Sequence, residues 1–116
     1  MRLELSCTFD HCRASGILVF RSTEFRARVP QSLQAEFEKK FLSVSVPYVE
    51  AAAGLVSVSV ARPTRWIPDE YAMISIWHSE DDVAAFAGDD WNRAVIPAGM
   101  EKYVAECWVH HYENFR

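Results

Sequence analysis

The apolar positions of this chain change period along its length, and the changes mark out the elements. The run "ILVFRSTEF" (17–25) is rich in β-branched and aromatic residues and predicts a first strand. In "VPQSLQAEFEKKFLSV" (29–44) the spacing becomes helical: Leu33, Phe37 and Phe41 stand four apart, with Gln34, Glu38 and Lys39 turned elsewhere. Pro30 suits a first helical turn, where a missing N–H costs nothing. Pro47 predicts a kink or an end to this helix, and "YVEAAAG" a last turn closed by Gly54.

Strict alternation follows. In "LVSVSVARP" (55–63), Val56, Val58 and Val60 alternate with Ser57 and Ser59, the pattern of a half-buried strand. After a loop holding Pro63, Trp66 and Pro68, "EYAMISIW" (70–77) sets Tyr71, Met73, Ser75 and Trp77 on one face and Ala72, Ile74 and Ile76 on the other. Both faces of this third strand are largely apolar, which predicts cover on both sides. Ser79 then reads as an N-cap, and Asp82 as the far member of a capping box. Glu80, Asp81 and Asp82 complement the positive end of the helix dipole, Val83 with Phe86 or Ala87 form the buried stripe, and Gly88 stops the helix. Asp89 or Asp90 predicts a second cap, opening a short helix through Trp91 and Ala94 that Pro97 ends. The segment "KYVAECWVHHYENF" (102–115) alternates again and predicts a fourth strand.

The order is β-α-β-β-α-β. This predicts an α+β, ferredoxin-like split βαβ arrangement, an antiparallel sheet with both helices on one face. A helix-free face carrying Ala72, Ile74 and Ile76 needs cover from something other than water, so a homodimer packed through its sheet faces is expected.

Composition narrows the classes of function. A chain of 116 residues is one domain, here divided at Gly16 into an N-terminal arm or extension (1–16) and a folded unit (17–116). The net charge is −4 with no Lys/Arg-rich run, which argues against nucleic acid as partner. No apolar run approaches membrane-spanning length, and the opening residues lack the hydrophobic stretch of a signal peptide. Three cysteines, Cys7, Cys12 and Cys107, suit a reducing compartment, and a cytoplasmic location is expected. The run "CTFDHC" offers Cys7, His11 and Cys12 but no second ligand pair, so no metal site is expected.

The element order, "GLVSVSV", "EYAMISIWHSEDDVAAF" and the closing "VHHY" together resemble the antibiotic biosynthesis monooxygenase (ABM)-type domains of the dimeric α+β barrel superfamily. The resemblance covers about residues 17 to 114, and its most specific part is the strand ending in Trp77 with the capped helix behind it. It implies a small oxygenase working without flavin, haem or metal. A flat phenol or hydroquinone would lie between sheet and helices, lose a proton, and as an electron-rich anion react with O₂ itself. Trp77 carries over as a pocket wall, whereas Met73 and Val83 are apolar where a polar side chain would suit the chemistry. A related branch degrades haem through a His of the second helix region. No His lies between residues 79 and 109, which makes haem the weaker expectation.

The candidate bases are His78, His110 and His111; the last two alternate on one strand, so at most one faces the pocket. The candidate substrate contacts are Trp77, Trp91, Arg21, Met73 and Phe86, with Arg21 suited to a phenolate or carboxylate. Two other classes stay open: a non-catalytic binding protein for a flat apolar ligand, and a structural or stress-type dimer whose aromatic rings are only core.

Overall fold

A computed structural model describes residues 20–88 and 94–115. The arm 1–16, with Cys7, His11 and Cys12, lies outside the described residues, as does Trp91. Four strands, β1 (Arg21–Arg28), β2 (Leu55–Ala61), β3 (Glu70–Trp77) and β4 (Glu106–Glu113), form one antiparallel sheet in the order β2-β3-β1-β4. Helices α1 (Gln34–Lys40), α2 (Val46–Glu50) and α3 (Glu80–Ala87) complete the described β-α-β-β-α-β order, with α1 and α2 parts of one helical run. No helix among the described residues is long and apolar enough to cross a membrane.

The first helical run does not stop at Pro47. A 3₁₀ turn (Gln31–Leu33) leads into α1, a π-helical turn (Phe41–Ser45) follows, and α2 carries Pro47 in its first turn. At that point the missing N–H breaks no i→i−4 bond, so the chain stays helical to Glu50. The π turn has a second effect. Residues four apart drift about 40° around a regular α-helix, yet Phe37, Phe41, Ser45 and Val49 are all buried. The wider turn takes back that drift and keeps all four on the sheet.

β1 lies further along the chain than the apolar run predicts, reaching Arg28. Thr23, Phe25 and Ala27 point toward the helices, while Glu24, Arg26 and Arg28 point away. The outward charges are neutralised on the sheet: Arg26 bonds Glu24 at 2.9 Å and Glu70 at 3.1 Å. The helix-free face is therefore apolar along β3, aromatic at Trp108 and Tyr112 on β4, and divided between them by this ion-paired row. Ser57 and Ser59 extend it at the β2 edge.

The third strand and the helix after it lie where alternation and capping put them. Tyr71, Met73, Ser75 and Trp77 are buried, with their odd-numbered face under the helices. Ser79 caps α3 by accepting from the Asp82 N–H at 3.2 Å, and its own hydroxyl donates to Asp82 Oδ2 at 2.9 Å. Gly88 ends α3 at a positive φ of 89°, its N–H bonded to the Ala84 carbonyl at 2.8 Å. The predicted second short helix falls mostly on 89–93, outside the described residues, and Ala94 to Pro97 are not helical. The fourth strand is shorter than its alternation suggests, because Glu101–Tyr103 form a 3₁₀ turn that tucks Tyr103 into the core.

Candidate functional site

The core has an aromatic cluster at one end and a cavity at the other. Phe37, Phe41, Tyr71 and Tyr103 pack ring against ring, with Phe37 4.8 Å from Phe41 and 4.7 Å from Tyr71 between centroids. The Tyr71 hydroxyl donates to Glu38 at 2.9 Å, and burial together with that bond pushes its pKa up to about 12. Tyr103 donates likewise to Glu36, and that bond pushes its phenol up as well. These phenols are held as neutral donors to fixed carboxylates.

The cavity lies between the sheet and the helices at the end where β3 runs into α3. Its volume is about 60 Å³. A buried water needs about 10–15 Å³, so the space inside matches a few waters or one small ring. Trp77 and Phe86 form one wall, centroids 5.2 Å apart, and Tyr48 meets Phe86 edge-on at 5.6 Å. Met73 and Val83 are buried wall residues and add to the apolar lining of the cavity.

Strand register puts a polar row across this apolar floor. Ser75 on β3 pairs with Thr23 on β1, and Thr23 pairs with His111 on β4. All three line the cavity. The Trp77 indole N–H donates to Ser75 Oγ at 2.9 Å, and Thr23 Oγ1 lies 2.9 Å from His111 Nδ1. Phe25 and Val109 form the apolar row on one side and Trp77 part of the row on the other.

The other candidates lie elsewhere. His110 points to the helix-free face, exposed, with its ring 6.5 Å from Tyr112. His78 is exposed just past β3, its ring 5.9 Å from Phe20 and its N–H bonded to the Gly54 carbonyl at 2.9 Å. Arg21 shares the helix side of β1 but does not line the cavity. Its guanidinium is 3.6 Å from Glu80 and 3.9 Å from Glu113, tying the start of α3 to the end of β4. The cavity thus collects Trp77, Met73, Phe86 and His111 from the sequence candidates, and leaves out Arg21, His78 and His110. Thr23, Ser45 and Tyr48 were not legible as site residues, since Thr is an ordinary strand former and the other two lie in or beside an unforeseen π turn. Among the described residues no cluster of His, Cys, Asp and Glu is arranged to hold a metal ion. Cys107 sits half-buried on β4, where burial, and then the charge of Glu106, raise its thiol pKa.

Comparison with solved structures gives this arrangement a context. A provisionally assigned antibiotic biosynthesis monooxygenase from Caulobacter crescentus superposes with a TM-score of 0.67 at 19% identity, over 91% of this chain and 99% of that one. SnoaB, a cofactor-independent oxygenase from Streptomyces nogalater, superposes at 0.64 with 17% identity, over 84% and 94%. The fold is that of the ABM-type domain. A heme-degrading protein from Mycobacterium tuberculosis shares it too, with a TM-score of 0.62 and 20% identity over 86% of this chain and 96% of that one. Neither a protein-family model nor a curated protein sequence matches the chain. At these identities the ABM-type likeness is one of fold, and the chemistry has to be argued from the cavity.

Proposed function

We propose that this ABM-type domain is a cofactor-independent monooxygenase acting on a compact, single-ring phenol or hydroquinone. The observation that carries the reading is the apolar cavity against Trp77 and Phe86, floored by a single polar row, on a fold shared with a cofactor-independent oxygenase. The chemistry it supports balances without a bound cofactor: a phenol with a free ring position plus O₂ yields a quinone and water. The protein's share is to hold the ring, exclude water and handle the phenolic proton.

Haem fits less well. A porphyrin is far larger than the interior space, and no Lys or Arg among the described residues lines the cavity to meet its propionates. Non-catalytic binding of an apolar ligand is the second reading, favoured by the apolar Met73 and Val83 walls. Oxygen uptake with a panel of small hydroquinones separates the two. Turnover by the purified protein, lost when Ala87 is replaced by a bulky Phe that fills the cavity, supports the oxygenase. Ligand-raised melting temperature without oxygen uptake or product supports binding alone.

The proposal includes a homodimer that covers the helix-free face. Ile74 and Ile76 would supply its apolar centre, with the Glu24–Arg26–Glu70 row as a charged register mark beside them. A cytoplasmic location and O₂ as second substrate belong to the same reading. Sedimentation of the wild type as a monomer at micromolar concentration would remove the dimer from it.

A further inference from the structure

We infer that His111 is the group that takes the phenolic proton in this cavity, set in that role by Thr23; the inference rests on the reading of the cavity as a phenol site. Ionising a phenol inside an apolar enclosure leaves a negative charge that needs a compensating positive one close by. Among the described residues, no Lys, Arg, Asp or Glu lines the cavity, and Arg21, on the helix side of β1, is paired with Glu80 and Glu113. His111 meets both demands. It accepts the proton, and as imidazolium it then holds the phenolate's charge.

Thr23 engages one ring nitrogen, its Oγ1 lying 2.9 Å from Nδ1. In the tautomer whose Nδ1–H donates to Thr23, Nε2 is the ring's acceptor, and that is the tautomer the role requires. The ligand's O–H bond breaks, an Nε2–H bond forms, and phenolate and imidazolium face each other; the proton returns when product forms. Ser75 cannot substitute, because a hydroxyl is too weak a base to take a phenol's proton; it holds the Trp77 indole N–H instead. The polar row therefore orients the ligand, with its hydroxyl toward β1 and β4 and its ring toward Trp77 and Phe86. Ligands with a permanent carboxylate are disfavoured, for lack of a cation in the lining. Among the described residues, the charged and titratable groups on the same side as His111 include Arg21 and Glu113 one row along the sheet, Glu80 through its pair with Arg21, and Tyr48 on the helix across the cavity.

The test uses wild type, His111→Gln, His111→Asn, Thr23→Val and Thr23→Ser, with melting temperatures confirming that each is folded. Para-nitrophenol is titrated in at about pH 6, where free imidazoles are part-protonated, and its visible phenolate band is read. Oxygen uptake with a small hydroquinone is followed against pH. The expected results are a phenolate band on binding to wild type and binding without it in both His111 variants. Loss of the base lowers kcat by about 100-fold or more and KM far less, as for other general bases. Thr23→Val shifts the acid limb of the rate profile, and Thr23→Ser restores it. A His111 variant that keeps the phenolate band or the wild-type profile overturns the assignment while the phenol site stands. Wild type that neither binds para-nitrophenol nor oxidises any hydroquinone overturns the site, and the assignment with it.

Discussion

Gly54 joins the first helical run to β2 at the cavity's end of the fold, and replacing it with Ala tests how tightly that end is built. Its φ is +87°, and a Cβ there would overlap the Asp82 side chain at Cγ and Oδ2. A non-glycine residue in the left-handed region costs about 1–2 kcal/mol. Asp82 must also swing its carboxylate away, which breaks the bond that it accepts from the Ser79 hydroxyl and costs about 1 kcal/mol. Gly54→Ala should therefore lose about 2–3 kcal/mol. Gly88 supplies the control. It too has positive φ, at +89°, but nothing lies within 4 Å of its added Cβ, so Gly88→Ala should show the backbone cost alone. Removing the obstacle gives a second check: in Gly54→Ala/Asp82→Ala the loss of that bond is counted once, so the double variant should be about 1 kcal/mol more stable than additivity predicts. Urea unfolding with unchanged m-values measures all four proteins. Gly54→Ala no worse than Gly88→Ala, or strictly additive effects with Asp82→Ala, would refute the argument from this contact.

Ser75→Ala leaves the buried Trp77 indole N–H without its acceptor and should cost about 1–3 kcal/mol; Trp77→Phe on that background should return part of it, read by denaturant midpoint. Tyr71→Phe should cost about 1 kcal/mol at neutral pH through loss of the bond to Glu38. Because the folded pKa of Tyr71 is raised from 10 to about 12, its share of stability is whole below pH 10 and is lost as pH climbs toward 12. The wild type should thus lose melting temperature over that interval more steeply than Tyr71→Phe; equal slopes would contradict the raised phenol. Arg21→Gln should change stability by less than about 1 kcal/mol, the range of part-exposed ion pairs, and leave phenol affinity unchanged. Affinity lost in that variant would put Arg21 back in the site.

Much of this fold was legible because its signals are local. The alternation of β3 places Trp77 under the helices whatever strand lies beside it, and Ser79 with Asp82 caps α3 through atoms three residues apart. The helix-free face was less legible. Read from β3 it is apolar, but β1 crosses it with Glu24 and Arg26, and only pairing with Glu70 shows how those charges are satisfied. Pro47 was legible only in part. As a helix breaker it predicts a kink or an end; the run is irregular just before it, in a π-helical turn, and then stays helical to Glu50 because Pro47 falls in a first turn.

The site divides the same way. The chain by itself determined that Trp77, Met73 and Ser75 share one face, and that His110 and His111 cannot, since period-two geometry acts within each strand. Which histidine enters the cavity is a different kind of fact. It depends on the register of β4 against β1, where Thr23 meets His111 and Glu24 meets His110. The position of Arg21 depends likewise on Glu80 and Glu113, residues far from it in sequence. Register is settled by the packing of the whole buried face at once, because a slip of one residue would turn every side chain of β4 to the opposite side. Tertiary packing alone could therefore bring Ser75, Thr23 and His111 into one row beneath the same wall of aromatic rings.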